Sequence, residues 1–146
     1  MSKPDDIQDI VAIGNKLDSI LWQLIKKTED GITLAEQHAV DEAKELFATL
    51  VDQFSALRLY QEKEARMLSE KEIQDKLKQT LHKAIFVEQK DVQEVVYDLR
   101  AFVQTKQPSK QEQWLIRLEK ALKQLSEDHE KERSGLARLA KRKRAA

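Results

Sequence analysis

Apolar residues return at every third or fourth position through most of this chain, the spacing that lays them along one face of an α-helix. Ile7, Ile10, Ile13, Leu17, Ile20, Leu21, Leu24 and Ile25 form the first such stripe. It predicts a helix over 1–30, entered through Ser2 as N-cap, with Pro4 in the first turn and Asp5 completing an S-x-x-D signature. Asp5, Asp6 and Asp9 complement the positive end of its dipole, and Lys26 and Lys27 the negative end. Glu29-Asp30-Gly31 reads as its close.

The second stripe is the most regular. Thr33-Leu34-Ala35-Glu36 has the form of a capping box. Ala39, Val40, Ala43, Leu46, Phe47, Leu50, Val51, Phe54 and Leu57 follow at helical steps, and neither Gly nor Pro interrupts 33–68. A helix of that span is roughly 54 Å long. Its apolar part ends at Leu57, and Gln61-Glu62-Lys63-Glu64-Ala65-Arg66 is nearly all polar, so this end is expected to lengthen the fold beyond its core. The short link between the first two stripes predicts an antiparallel hairpin, since only a reversal buries both.

Ser69-Glu70-Lys71-Glu72 offers another cap and a break after the second helix. Ile73, Leu77, Leu81, Ala84 and Ile85 continue at helical spacing, as do Val92, Val95, Val96, Leu99, Phe102 and Val103. Between them, the bulky run Ile85-Phe86-Val87 and a fresh cap at Asp91-Val92-Gln93-Glu94 fit a break near 86–91; the stripe can be traced through 69–105 as one helix or as two. Gln107-Pro108-Ser109 ends that element, and Ser109-Lys110-Gln111-Glu112 caps a fourth helix over 109–133.

In this fourth helix Leu115, Leu118, Leu122 and Leu125 hold coiled-coil seam positions, but His129 and Glu132 occupy the next two. A helix-interior glycine costs about 1 kcal/mol against alanine, so Gly135 is expected to weaken the helix and leave 134–146 as a mobile basic tail. The pattern as a whole predicts an all-α fold, an elongated antiparallel bundle of about four helices with a long second helix.

Composition narrows the chemistry. The 146 residues hold three Gly, two Pro and no Cys, which favours few long helices and excludes disulfides, thiolate metal sites and cysteine nucleophiles. Charge sums to zero but is uneven: residues 1–68 carry 8 Lys/Arg against 13 Asp/Glu, and residues 69–146 carry 18 against 13. No acid follows Glu132, so Arg133, Arg138, Lys141, Arg142, Lys143 and Arg144 are candidate contacts for an anion or an acidic partner. No uncharged apolar run nears twenty residues, and the N-terminal stretch lacks the pattern of a signal peptide, so a cytoplasmic protein without a membrane span is expected, or a nuclear one in a eukaryotic host.

Catalytic signatures are missing: there is no phosphate-cradling glycine loop, no H-E-x-x-H and no nucleophile elbow. The E-x-x-H step of di-iron bundles fails too, because Ala35, Gln79 and Ser126 precede His38, His82 and His129 by three. His129 reads as a polar residue that loosens or registers the seam, and His38 as half of a solvated ion pair with Asp41 or Glu42. No catalytic residue, metal or cofactor is expected. The expected function is a non-enzymatic interaction module, an adaptor or assembly subunit binding a protein partner or itself. Trp114, Leu115, Leu118, Leu122 and Leu125 are its candidate interface. The alternative is a nucleic-acid accessory protein gripping phosphates with the basic tail.

Overall fold

A computed structural model of the chain describes the backbone of residues 4–70 and 75–145, and the side chains of 10–70, 76, 78–135, 137 and 138. Four helices make up almost all of this: α1 (Pro4–Glu36), α2 (Val40–Glu70), α3 (Asp75–Gln104) and α4 (Pro108–Ala145). The three-residue connections 37–39 and 105–107 leave no room for a crossover, so each reverses the chain. α1 packs on α2 and α4, and α3 on α2 and α4, while no diagonal pair among the described residues comes close. The fold is therefore a square, antiparallel four-helix bundle. No described helix is long and apolar enough to cross a membrane.

Helix 1 does not close at Gly31. It continues to Glu36, and Gly31 lies buried within it because the ring of Phe47 occupies the space a side chain would need. Thr33 caps nothing; its hydroxyl donates back to the Glu29 carbonyl inside α1. The real turn is a Schellman motif, with Ala39 N–H donating to the Leu34 carbonyl (2.8 Å) and His38 N–H to that of Ala35 (3.1 Å). His38 takes the left-handed position at φ 67°, where an exposed His is tolerated better than most residues. It is a turn residue rather than the expected ion-pair partner.

Three further boundaries differ from the pattern. α3 runs unbroken through 86–91, so Asp91 caps nothing and sits half-buried in mid-helix. α4 begins at Pro108, where a residue without an N–H is at no disadvantage, and Gln107 accepts from the Lys110 and Gln111 N–H groups. α4 also passes through Gly135, which is buried against Leu81, and stays helical to Ala145 instead of fraying into a tail at 134. Ser69, expected to cap the third helix, lies instead in the last turn of α2 with its hydroxyl donating to the Ala65 carbonyl, while Lys71, Glu72 and the proposed cap at Ser2 lie outside the described residues.

The core divides in two. The larger cluster lies toward the 37–39 and 105–107 connections and centres on Leu17, Leu21, Phe47, Leu50, Phe54, Val95, Leu99 and Phe102. Phe47 and Phe102 meet edge to face at 5.2 Å, a favoured aromatic geometry. The smaller cluster, Ile10, Leu68, Leu81 and Ile85, lies toward the opposite end. Between them the stripes of α2, α3 and α4 turn polar.

Candidate functional site

That polar layer begins with periodicity. In α2, Gln61 and Glu64 continue the alternating steps of Phe54 and Leu57 and precede Leu68, so the helix carries them inward at 1% exposure each. In α4, His129 and Glu132 continue from Leu122 and Leu125, at 1% and 3%. In α3, Glu88 falls between Ile85 and Val92, at 1%. α1 contributes Asn15 and Asp18 from the flank of its stripe. The polar end of α2 is therefore the middle of the bundle and does not lengthen it.

His129 is the hub. Its Nδ1 lies 3.1 Å from Oε2 of Glu88 and its Nε2 2.8 Å from Oδ1 of Asp18, while Trp22 meets the ring edge-on at 5.6 Å. Burial pulls the imidazole pKa down, but the hydrogen bonds and charges of Glu88 and then Asp18 outweigh it and raise it above the ordinary value. Trp22 Nε1 also donates to Asp18 (2.9 Å), and the Arg133 guanidinium reaches Asp18 (3.4 Å) and Asn15. Gln61 donates to Oε1 of Glu88 at 3.0 Å.

Several buried acceptors in and around the layer find no donor. Neither oxygen of Glu64 is hydrogen-bonded, nor is Oε2 of Glu132. Burial, and then repulsion from Glu88, pushes the Glu64 carboxyl up to about 8. In the next turn of α3 from Glu88, burial and then the Asp128 carboxyl raise the Asp91 pKa, while that of Asp128 is lowered. Nearer the 105–107 turn, Asp98 is fully buried with neither oxygen hydrogen-bonded, and Arg117 stands 3.8 Å away. Burial and then Glu94 raise its pKa to about 6, with Arg117 pulling the other way.

The outer face of α3 differs in character. Phe86 and Tyr97 are 56% and 58% exposed, and their eleven-residue separation returns them to the same side after three turns, roughly 17 Å apart. Lys90 lies over the Phe86 ring. Tyr97 meets Trp114 of α4 edge-on at 5.8 Å, and Arg117 stacks over that Trp at 4.8 Å.

No protein-family model, curated protein or solved structure matches this chain.

The candidates drawn from sequence separate in the fold. Leu118, Leu122 and Leu125 are buried at 0%, 4% and 0%, and Leu115 is half-buried against the same core, so the seam closes the bundle and is not a free face. Trp114 alone of that set reaches the surface cluster. Arg133 is held by Asp18 and Asn15, Arg138 is exposed, and the side chains of Lys141, Arg142, Lys143 and Arg144 lie outside the described residues. Glu64, Glu88 and Asp18 were missed. The available signal was the placement of Gln61, Glu64, Glu88, His129 and Glu132 on stripe positions of three helices, which reads as a polar end until the helices are put in register.

Proposed function

We propose that the chain is a non-enzymatic helical interaction module, an adaptor or small assembly subunit that docks on a protein partner or on a second copy of itself. The observation that carries this is the aromatic and cationic surface of Phe86, Tyr97, Trp114 and Arg117 on α3 and α4. Large aromatic side chains held outward by rigid helices lose little conformational entropy on binding, and Tyr, Trp and Arg dominate the energetic centres of interfaces. The bundle keeps that surface rigid, because both helices are anchored along their inner faces by the core.

Affinity capture from the native host, after nuclease treatment, tests the reading. One protein should be retained by the wild type at low and high salt and lost with the F86A/Y97A double variant, each truncation weakening binding by about 2 kcal/mol, roughly thirty-fold. Retention that depends on nucleic acid and collapses with added salt would instead favour the basic end of α4, where Arg138 is exposed, as the functional element.

A further inference from the structure

We propose that Glu88, His129 and Glu132 form a site for one divalent first-row transition ion of the Zn²⁺ type, set inside the polar layer. The ligand atoms of the three residues lie within 4.8 Å of one another, and all three side chains are buried. Nδ1 of His129 stands 3.1 Å from Oε2 of Glu88 and 3.9 Å from Oε2 of Glu132. Donor atoms bonded to such an ion at about 2.0–2.2 Å stand roughly 3.0–3.6 Å apart, so small rotations of the side chains complete the geometry. One imidazole nitrogen with two carboxylates is a donor set suited to Zn²⁺ or its first-row neighbours.

Two observations outside this spacing point the same way. The first is the missing donors. Oε2 of Glu132 faces His129 without a hydrogen bond, and Glu64, on which the charge of neighbouring Glu88 acts, has no bond to either oxygen at 1% exposure. Buried carboxylate oxygens left without a donor are strongly unfavourable, and a cation among them supplies what no side chain in the layer supplies.

The second is the surrounding shell. Nε2 of His129 is committed to Asp18 at 2.8 Å, which fixes the ring with Nδ1 toward Glu88 and Glu132. Gln61 donates to Oε1 of Glu88 at 3.0 Å, leaving Oε2 to face the imidazole. A histidine whose distal nitrogen is oriented by a carboxylate, beside a carboxylate that is itself oriented, is the usual support of a metal site. The motif is H-x-x-E; the step of three that puts E-x-x-H on one face does the same in reverse order. The ion would join α3 to α4 as a structural ion, since its ligands are only 1–3% exposed.

Cobalt titration tests this independently of the docking proposal. Untagged protein stripped with a chelator is titrated with Co²⁺ both as folded and during refolding from urea, followed by visible d–d absorption and thermal melting. Expected are a one-to-one endpoint, a raised Tm, loss of both in E132Q and H129Q, and a roughly 10–100-fold weaker but still one-to-one site in D18N. E132Q keeps the side chain's shape, and far-UV circular dichroism verifies its helices. Should both ligand variants fail to fold, the wild type and D18N decide. Absence of a saturable single site in the wild type under both protocols overturns the proposal, and so does a site unchanged in E132Q and H129Q or in D18N.

Discussion

Gly31→Ala should destabilise the protein, against the ordinary expectation for a glycine within a helix. Alanine in place of glycine in a helix interior normally contributes about 1 kcal/mol of stability. Here the new Cβ would lie 2.3 Å from Cε1 of Phe47, 3.0 Å from Cδ1 and 3.1 Å from Cζ, where carbon atoms prefer about 3.5–4.0 Å. The ring would have to retreat by more than 1 Å on the closest contact. It has no free side to move toward, because Phe47 is fully buried and braced edge-on by Phe102. Overpacking of this kind costs about 1–3 kcal/mol, and the size of the overlap argues for the upper end. Less the propensity gain, the net loss is about 2 kcal/mol, or roughly 4–8 °C in Tm for a chain of this length. Urea melts followed by helical circular dichroism measure it. A double-mutant cycle with Phe47→Leu separates the causes, since the smaller side chain should make Gly31→Ala nearly neutral. If G31A stabilises the protein, or if Phe47→Leu leaves its cost unchanged, the contact between α1 and α2 is wrong.

Other perturbations have equally definite outcomes. Leu50→Ala or Leu17→Ala, fully buried in the larger cluster, should cost about 2–5 kcal/mol in chemical denaturation. His129→Ala should cost about 3–5 kcal/mol, because it leaves the buried Glu88 carboxyl without the imidazole it pairs with, and a near-neutral melt would count against the hub. Asp98 binds its proton more tightly folded, with a pKa of about 6, than unfolded near 4. Its stabilising effect is therefore greatest below pH 4 and is lost as pH rises through 6. D98N should accordingly raise stability at pH 7–8, on the order of 1–3 kcal/mol, and change it little at pH 4, as pH-resolved melts would show.

The fold class was legible because the 3.6-residue stripes of Ile10–Ile25, Val40–Leu57 and Leu115–Leu125 are long and uninterrupted. Boundaries were less so. Gly31 and Gly135 carry the same local signal as turn glycines, yet both are buried within helices where another helix presses close, a property of packing that one segment cannot encode. Thr33-x-x-Glu36 and Asp91-x-x-Glu94 match capping boxes, but tertiary burial of the flanking stripes keeps the helix going. The polar layer was hidden for a related reason. Gln61, Glu64, Glu88 and His129 each look like an interruption in their own helix, and only the register of the bundle brings them to one level. The aromatic surface was half visible: Trp114 was a candidate, but its pairing with Tyr97 depends on the contact between α3 and α4.

Site-specific photo-crosslinking in the native host tests docking through α3 most directly. A photoreactive phenylalanine replaces Tyr97 in one strain and exposed Lys26, on the diagonally opposite α1, in another. Docking through the α3–α4 surface predicts a discrete protein adduct from position 97, unaffected by nuclease, and none of that size from position 26. No adduct from 97, or the same adduct from both positions, would contradict it.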